Sequence, residues 1–225
     1  MKYQFTILLR LSLLRLSLLM LSLLMLSAVA GHSTIIDRIA VIVGNRVVKQ
    51  SEIVREIRIT SFLNGEQPDL SVASRKKAAS RLIDQYIIRE EVQTGQYPVA
   101  SMDEASKLLA QIRKERFPRE EQYRAALSRY GITEEELRAQ LVWHLTVLRF
   151  IDARFRPAVV VNSNDVDEYY RTHRAEIDPG GTGLEKLRPQ IEQAITGERI
   201  NQQFEAWLEM RRKRTRMEYR MEELR

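Results

Sequence analysis

A chain of 225 residues with 36 basic and 30 acidic side chains, a formal charge of +6 at neutral pH and no cysteine can bury one sizeable core and must hold it by packing alone. The missing thiols exclude disulfides, cysteine-based zinc sites, a thiol nucleophile, and any lipid-anchored maturation that needs a cysteine at a new N-terminus.

The chain opens with Lys2 and runs through three near-copies of a five-residue unit, LSLLR, LSLLM and LSLLM, from Leu11 to Met25. A basic start, a Leu-rich stretch and the small residues Ala28-Val29-Ala30 give residues 1–30 the layout of a secretory signal, with cleavage expected after Ala30. Arg10 and Arg15 break the apolar run and leave about fifteen residues, short of the roughly 20 that a spanning helix needs. Removal takes away three basic residues and no acid, so residues 31–225 carry a formal charge of +3. They are expected in the periplasm, without stable membrane insertion.

Residues 35–59 are the stretch around which the rest is organised. Two β-branched runs, 39–43 and 46–48, flank Gly44-Asn45, a two-residue hairpin signal. Ile39, Val41, Val43 and Val47 are expected to face a core supplied from elsewhere, because a lone hairpin is marginal in water. Ser51 reads as the N-cap of a helix carrying Ile53 and Ile57. After the loop 64–68, Ser71 opens a longer helix with Val72, Ala79, Leu82, Ile83, Tyr86 and Ile87 on one face, closed at Gly95. Ser101 and Glu104 form a capping box for the next helix, which Pro118 ends after Phe117. A short helix with Tyr123, Leu127 and Tyr130 stops at Gly131.

Thr133 and Glu136 make a second capping box, with Ile132 and Leu137 placed for a hydrophobic staple. Behind it, Leu137, Leu141, His144, Leu148, Ile151 and Phe155 form a seam expected to make this the central packing helix. Pro157 stops it. Residues 159–161 read as a short extended piece, and Asn162 or Ser163 caps a helix with Val166, Tyr169 and Tyr170. Residues 179–183 are too rich in glycine for a regular element. Leu184, Leu187, Ile191, Ile195, Phe204, Trp207 and Leu208 mark a long helix in which Pro189 is expected near the first turn, where a missing amide is tolerated. Residues 215–221 alternate as a half-exposed strand and are expected to pair with the hairpin. The fold class is therefore mainly α, a multi-helix module whose small antiparallel sheet joins the N-terminal hairpin to a C-terminal strand.

The order of hairpin, Ser-Glu helix, Leu82-Ile83-Asp84-Gln85-Tyr86-Ile87-Ile88, Val166-x-x-Tyr169-Tyr170, Leu187-Arg188-Pro189-Gln190-Ile191 and a Met-x-Tyr strand resembles the chaperone module of SurA-like periplasmic proteins. That resemblance implies residues 31–178 and 184–225 folding as one module. It implies a parvulin prolyl-isomerase domain at 179–183, where this chain has only a Gly-rich turn and no His-x-His pattern. The implied function is an ATP-independent holdase for unfolded polypeptide clients, outer-membrane proteins among them, with no isomerase activity. An adaptor for one folded envelope partner and a residual prolyl isomerase are the alternatives.

No arrangement in the sequence calls for a catalytic residue, a cofactor or a metal ligand. His32, His144 and His173 are far apart and in no metal spacing. Glu134, Glu135 and Glu136 suit the positive end of a helix dipole. The basic run Arg211-Arg212-Lys213-Arg214 invites a nucleic-acid reading, but an export signal and neighbouring acids oppose it. Client contacts are expected at Phe62, Phe117, Tyr123 and Tyr130, aromatic residues near helix ends or loops, where reaching solvent is easiest. The competing reading has them closing the core.

Overall fold

The computed structural model describes residues 37–224; the expected signal segment and its cleavage site lie outside them. The hairpin forms as predicted, from β1 (Ile39–Val43) and β2 (Arg46–Lys49), antiparallel. Gly44 at φ +59° supplies the left-handed residue that the tight turn requires. The register slips between Ile39 and Val41, and a one-residue shift exchanges the two faces of a strand. The slip turns Ile39 to solvent beside a buried Ala40, and Val47, paired with Ile42, lies on the face away from Val41, Val43 and Val48, so Ile39 and Val47 are exposed, contrary to expectation.

Seven helices follow among the described residues: α1 (Gln50–Asn64), α2 (Val72–Thr94), α3 (Met102–Arg116), α4 (Glu120–Tyr130), α5 (Glu134–Phe155), α6 (Ser163–Ile177) and α7 (Leu184–Arg214). Most begin where their sequence signals place them. Ser71 accepts the Ser74 amide, and the boxes Ser101–Glu104, Thr133–Glu136 and Asn162–Asp165 are all closed. Ser51 is a correction: the N-cap is Lys49, two residues earlier, its amide donating to Glu52 Oε2 at 2.7 Å, and Ser51 instead donates its hydroxyl to Asp37 at 2.5 Å. Pro189 is also further in than expected, the sixth residue of α7. Residues 159–161 join no sheet.

The last strand, β3 (Met217–Tyr219), pairs antiparallel with β1, giving the order β2-β1-β3. The fold is thus mainly α with one small antiparallel sheet that ties the two ends of the described chain together.

Three apolar clusters hold it. The largest joins the hairpin, α2, the later turns of α5 and the C-terminal half of α7 through Val41, Ile83, Ile87, Phe150, Phe155 and Trp207. The second lies between the end of α1, α3, α4 and the first turns of α5, around Phe62, Leu109, Tyr123 and Leu137. The third is small, Val166 of α6 against Ile191 and Ile195 of α7.

Serving two cores changes how α5 is read. Leu137 and Leu141 point into the second cluster, and then Trp143 and Phe150 point into the first. The buried line changes face midway, so the single seam expected through His144 and Leu148 is corrected: both are exposed. Val72 at the start of α2 is exposed as well.

Candidate functional site: an apolar groove between four helices

Where α5 changes face, the stripe it leaves uncovered becomes a wall. Together with α1, α2 and the C-terminal half of α7 it encloses an open groove of about 570 Å³. Its apolar lining comes from Leu63, Ile88, Trp143, Val147, Leu148, Phe204 and Leu208. Ile88 and Trp143 are anchored in the main core, while Leu148 on the rim is 64% exposed. Phe204 is set by ring packing, 6.0 Å from Trp207 and 5.9 Å from Phe155 between centroids. The indole of Trp143 carries the Arg89 guanidinium 3.9 Å from its ring centroid, which stiffens that wall.

The polar lining is largely self-satisfied. Glu56 is only 5% exposed; one of its oxygens accepts from Arg81 Nε at 3.0 Å and Thr60 Oγ1 at 3.3 Å, the other from Gln85 Nε2 at 3.3 Å. Asp84 Oδ1 is ion-paired with Arg212 Nε at 2.8 Å, in a geometry that makes no hydrogen bond. Burial raises the Asp84 pKa, with Arg212 pulling the other way. His144 is open to solvent on one side, yet the groove walls crowd it and lower its pKa below the ordinary histidine value, opposed by the Glu56 carboxylate. With both acids paired and the imidazole neutral, the groove carries no net charge. It is suited to taking apolar side chains reversibly, since uncovered apolar surface of this kind marks a binding site. A second cleft of about 440 Å³ beside the hairpin is lined by Arg46, Tyr86, Arg89 and Glu90 and has no comparable apolar wall.

The four aromatic residues expected to meet clients do not line this groove, and for Phe62, Tyr123 and Tyr130 the expectation that they reach solvent is corrected. Phe62, Tyr123 and Tyr130 are buried, and Phe117 is half-buried against them. Phe117 stacks on Phe62 at 5.6 Å and Tyr130 meets Phe62 edge-on at 5.4 Å. Ring-on-ring packing at the junction of α1, α3 and α4 buries more apolar area than exposure at separate helix ends would.

The remaining candidates are spent on structure. His173 stacks on Tyr169 at 4.2 Å. Glu134 pairs with Arg138 and Arg113. Three members of the basic run are matched by acids, Arg211 by Glu90 and Glu91, Arg212 by Asp84 and Lys213 by Glu209. Among the described residues no group of three or more His, Cys, Asp or Glu side chains could hold a metal ion, and no helix is long and apolar enough to cross a membrane. A scan against protein-family models gives no match to this chain, and a search of curated proteins gives none either.

Proposed function

We propose that this chain is an exported, ATP-independent chaperone that holds unfolded polypeptide clients through the groove of α1, α2, α5 and α7. The observation that carries the reading is the groove itself: about 570 Å³, apolar, open, and bordered by ion pairs that cancel. That volume lies within the range of ordinary ligand sites and admits a few side chains of an extended chain rather than a folded domain. Such contacts are individually weak, so clients leave without a nucleotide-driven step. The Leu-rich, Ala-x-Ala pattern of residues 1–30 supports a periplasmic location, and the order of motifs shared with SurA-like proteins supports outer-membrane proteins as clients. Nothing in the groove is assigned a catalytic role.

The test is suppression of aggregation for several unrelated denatured proteins. The wild-type chain is expected to suppress all of them, and Leu148→Glu, a change at an exposed position, to lose the effect with an unchanged melting temperature. Suppression confined to one client would point to the adaptor reading, and full activity in Leu148→Glu would remove the groove from the mechanism. Proline-limited refolding is expected to keep its uncatalysed time of tens to hundreds of seconds in the presence of the protein; an acceleration would restore the isomerase alternative.

A further inference from the structure

Among the described residues, His144 is the one titratable group lining the groove whose charge has no ion-pair partner. On α1, Glu56 is bound by Arg81, Thr60 and Gln85; beyond it, Arg55 is paired with Glu136 at 2.8 Å, and Glu52 takes the Lys49 amide and the Tyr86 hydroxyl. On α2, Arg81 is held by Glu56, and Asp84 by Arg212. From α7 only Phe204 and Leu208 line the groove. On its own helix, His144 has Gln140, whose Nε2 lies 3.0 Å from His144 Nε2, a contact in which a neutral imidazole accepts the amide proton. Protonation removes that acceptor. It also sets a positive charge four residues from Leu148, on the wall an apolar client side chain would cover.

Resting on the client-holding reading of this groove, we infer that His144 makes capture depend on pH: neutral His144 leaves an uncharged groove that accepts apolar segments, and protonated His144 expels them. The charged imidazolium would have to be desolvated under the occupant, and Glu56, already neutralised by Arg81, offers it little compensation. The direction follows from linkage. Crowding already holds the free His144 below 6.5, and an occupant that excludes water lowers it further. Affinity is therefore full above the free value and falls as pH drops toward the occupied value. Each unit of additional lowering corresponds to about tenfold in affinity.

The test uses Nile red, an uncharged apolar dye, titrated into the full chain at pH 7.5 and pH 5.0, with circular dichroism confirming the same fold at both. Wild-type binding is expected to weaken several-fold, up to about tenfold, at pH 5.0. His144→Gln should bind equally well at both values, and His144→Lys equally poorly. If Leu148→Glu leaves dye affinity at pH 7.5 unchanged, the groove is not the binding surface, and the client-holding reading fails with the switch. If Leu148→Glu weakens binding but wild type and His144→Gln lose affinity alike on acidification, the groove stands and the switch is overturned.

Discussion

Phe62 lies two residues from the end of α1 and has no exposed surface. Gly65, at φ +76°, turns the chain sharply after the helix, and the Tyr130 hydroxyl donates to the carbonyl of Glu66 at 2.8 Å. The loop is thereby fastened over the ring, with Phe117, Tyr123 and Tyr130 closing around it. Phe62→Ala would leave a cavity that these rings cannot fill without losing their mutual contacts, and it is expected to cost about 3–5 kcal/mol. Tyr130→Phe removes only the hydroxyl and is expected to cost about 0.5–1.5 kcal/mol. Urea unfolding of the two variants checks the ordering. A Phe62→Ala protein of unchanged midpoint would return the ring to the surface role that its position near a helix end suggests.

At the level of elements, local signals were legible and side-chain facing was not. Ser101 and Thr133 each place a helix start, and Asn162, one of two candidates with Ser163, places a third, because a cap satisfies amides within one turn and needs nothing from elsewhere in the chain. Which side of α5 is buried depends on two cores formed by residues far away in sequence, and no period in 137–155 encodes the change of face. The corner between α6 and α7 is a case where composition announced a break but not its fastening. Asp178 is buried there, accepting the Tyr170 hydroxyl at 2.6 Å, the Gly183 amide at 3.0 Å and the Thr182 amide. These donors, the Tyr170 hydroxyl foremost, hold its pKa below 3.8 against the raising effect of burial. A depressed carboxylate contributes stability that is present above the unfolded value and lost as pH falls through the folded one, so the corner is expected to loosen only below about pH 4. Asp178→Asn should produce the same loosening at neutral pH. Amide exchange at Thr182 and Gly183 measures it; unchanged protection in the variant would show that the glycine-rich backbone holds the turn unaided.

At the scale of the whole molecule, the joining of the chain's ends was legible. Few strands were available, a lone hairpin needs a partner, and residues 215–221 alternate. The groove was not legible, since it consists of what four helices leave uncovered, and an uncovered stripe has the same composition as a buried one. The pairing of β3 with β1 and the burial of Ile200, Trp207 and Leu224 in the main core make a strong claim about the C-terminal region. Each such side chain contributes about 1.5–3 kcal/mol, and a domain's whole stability is about 5–15 kcal/mol, so residues 37–178 cannot keep a native core without α7. A chain ended after Asp178 is expected to lose its cooperative thermal transition and to expose Phe150 and Phe155, which Trp207 covers at ring distances of 5.3 and 6.0 Å. A flexible insertion between Gly180 and Gly181 lengthens the same connection into open space and interrupts only the hydrogen bonds that run from Asp178 to residues 181–183, leaving the three apolar clusters whole. Loop-closure entropy grows by only about 0.6 kcal/mol per doubling of length. Thermal melts of the two variants should therefore diverge, the insertion melting within a few degrees of wild type and the truncation showing no transition; a truncated chain that melts cooperatively near the wild-type temperature would show that the sheet closure adds nothing to the core.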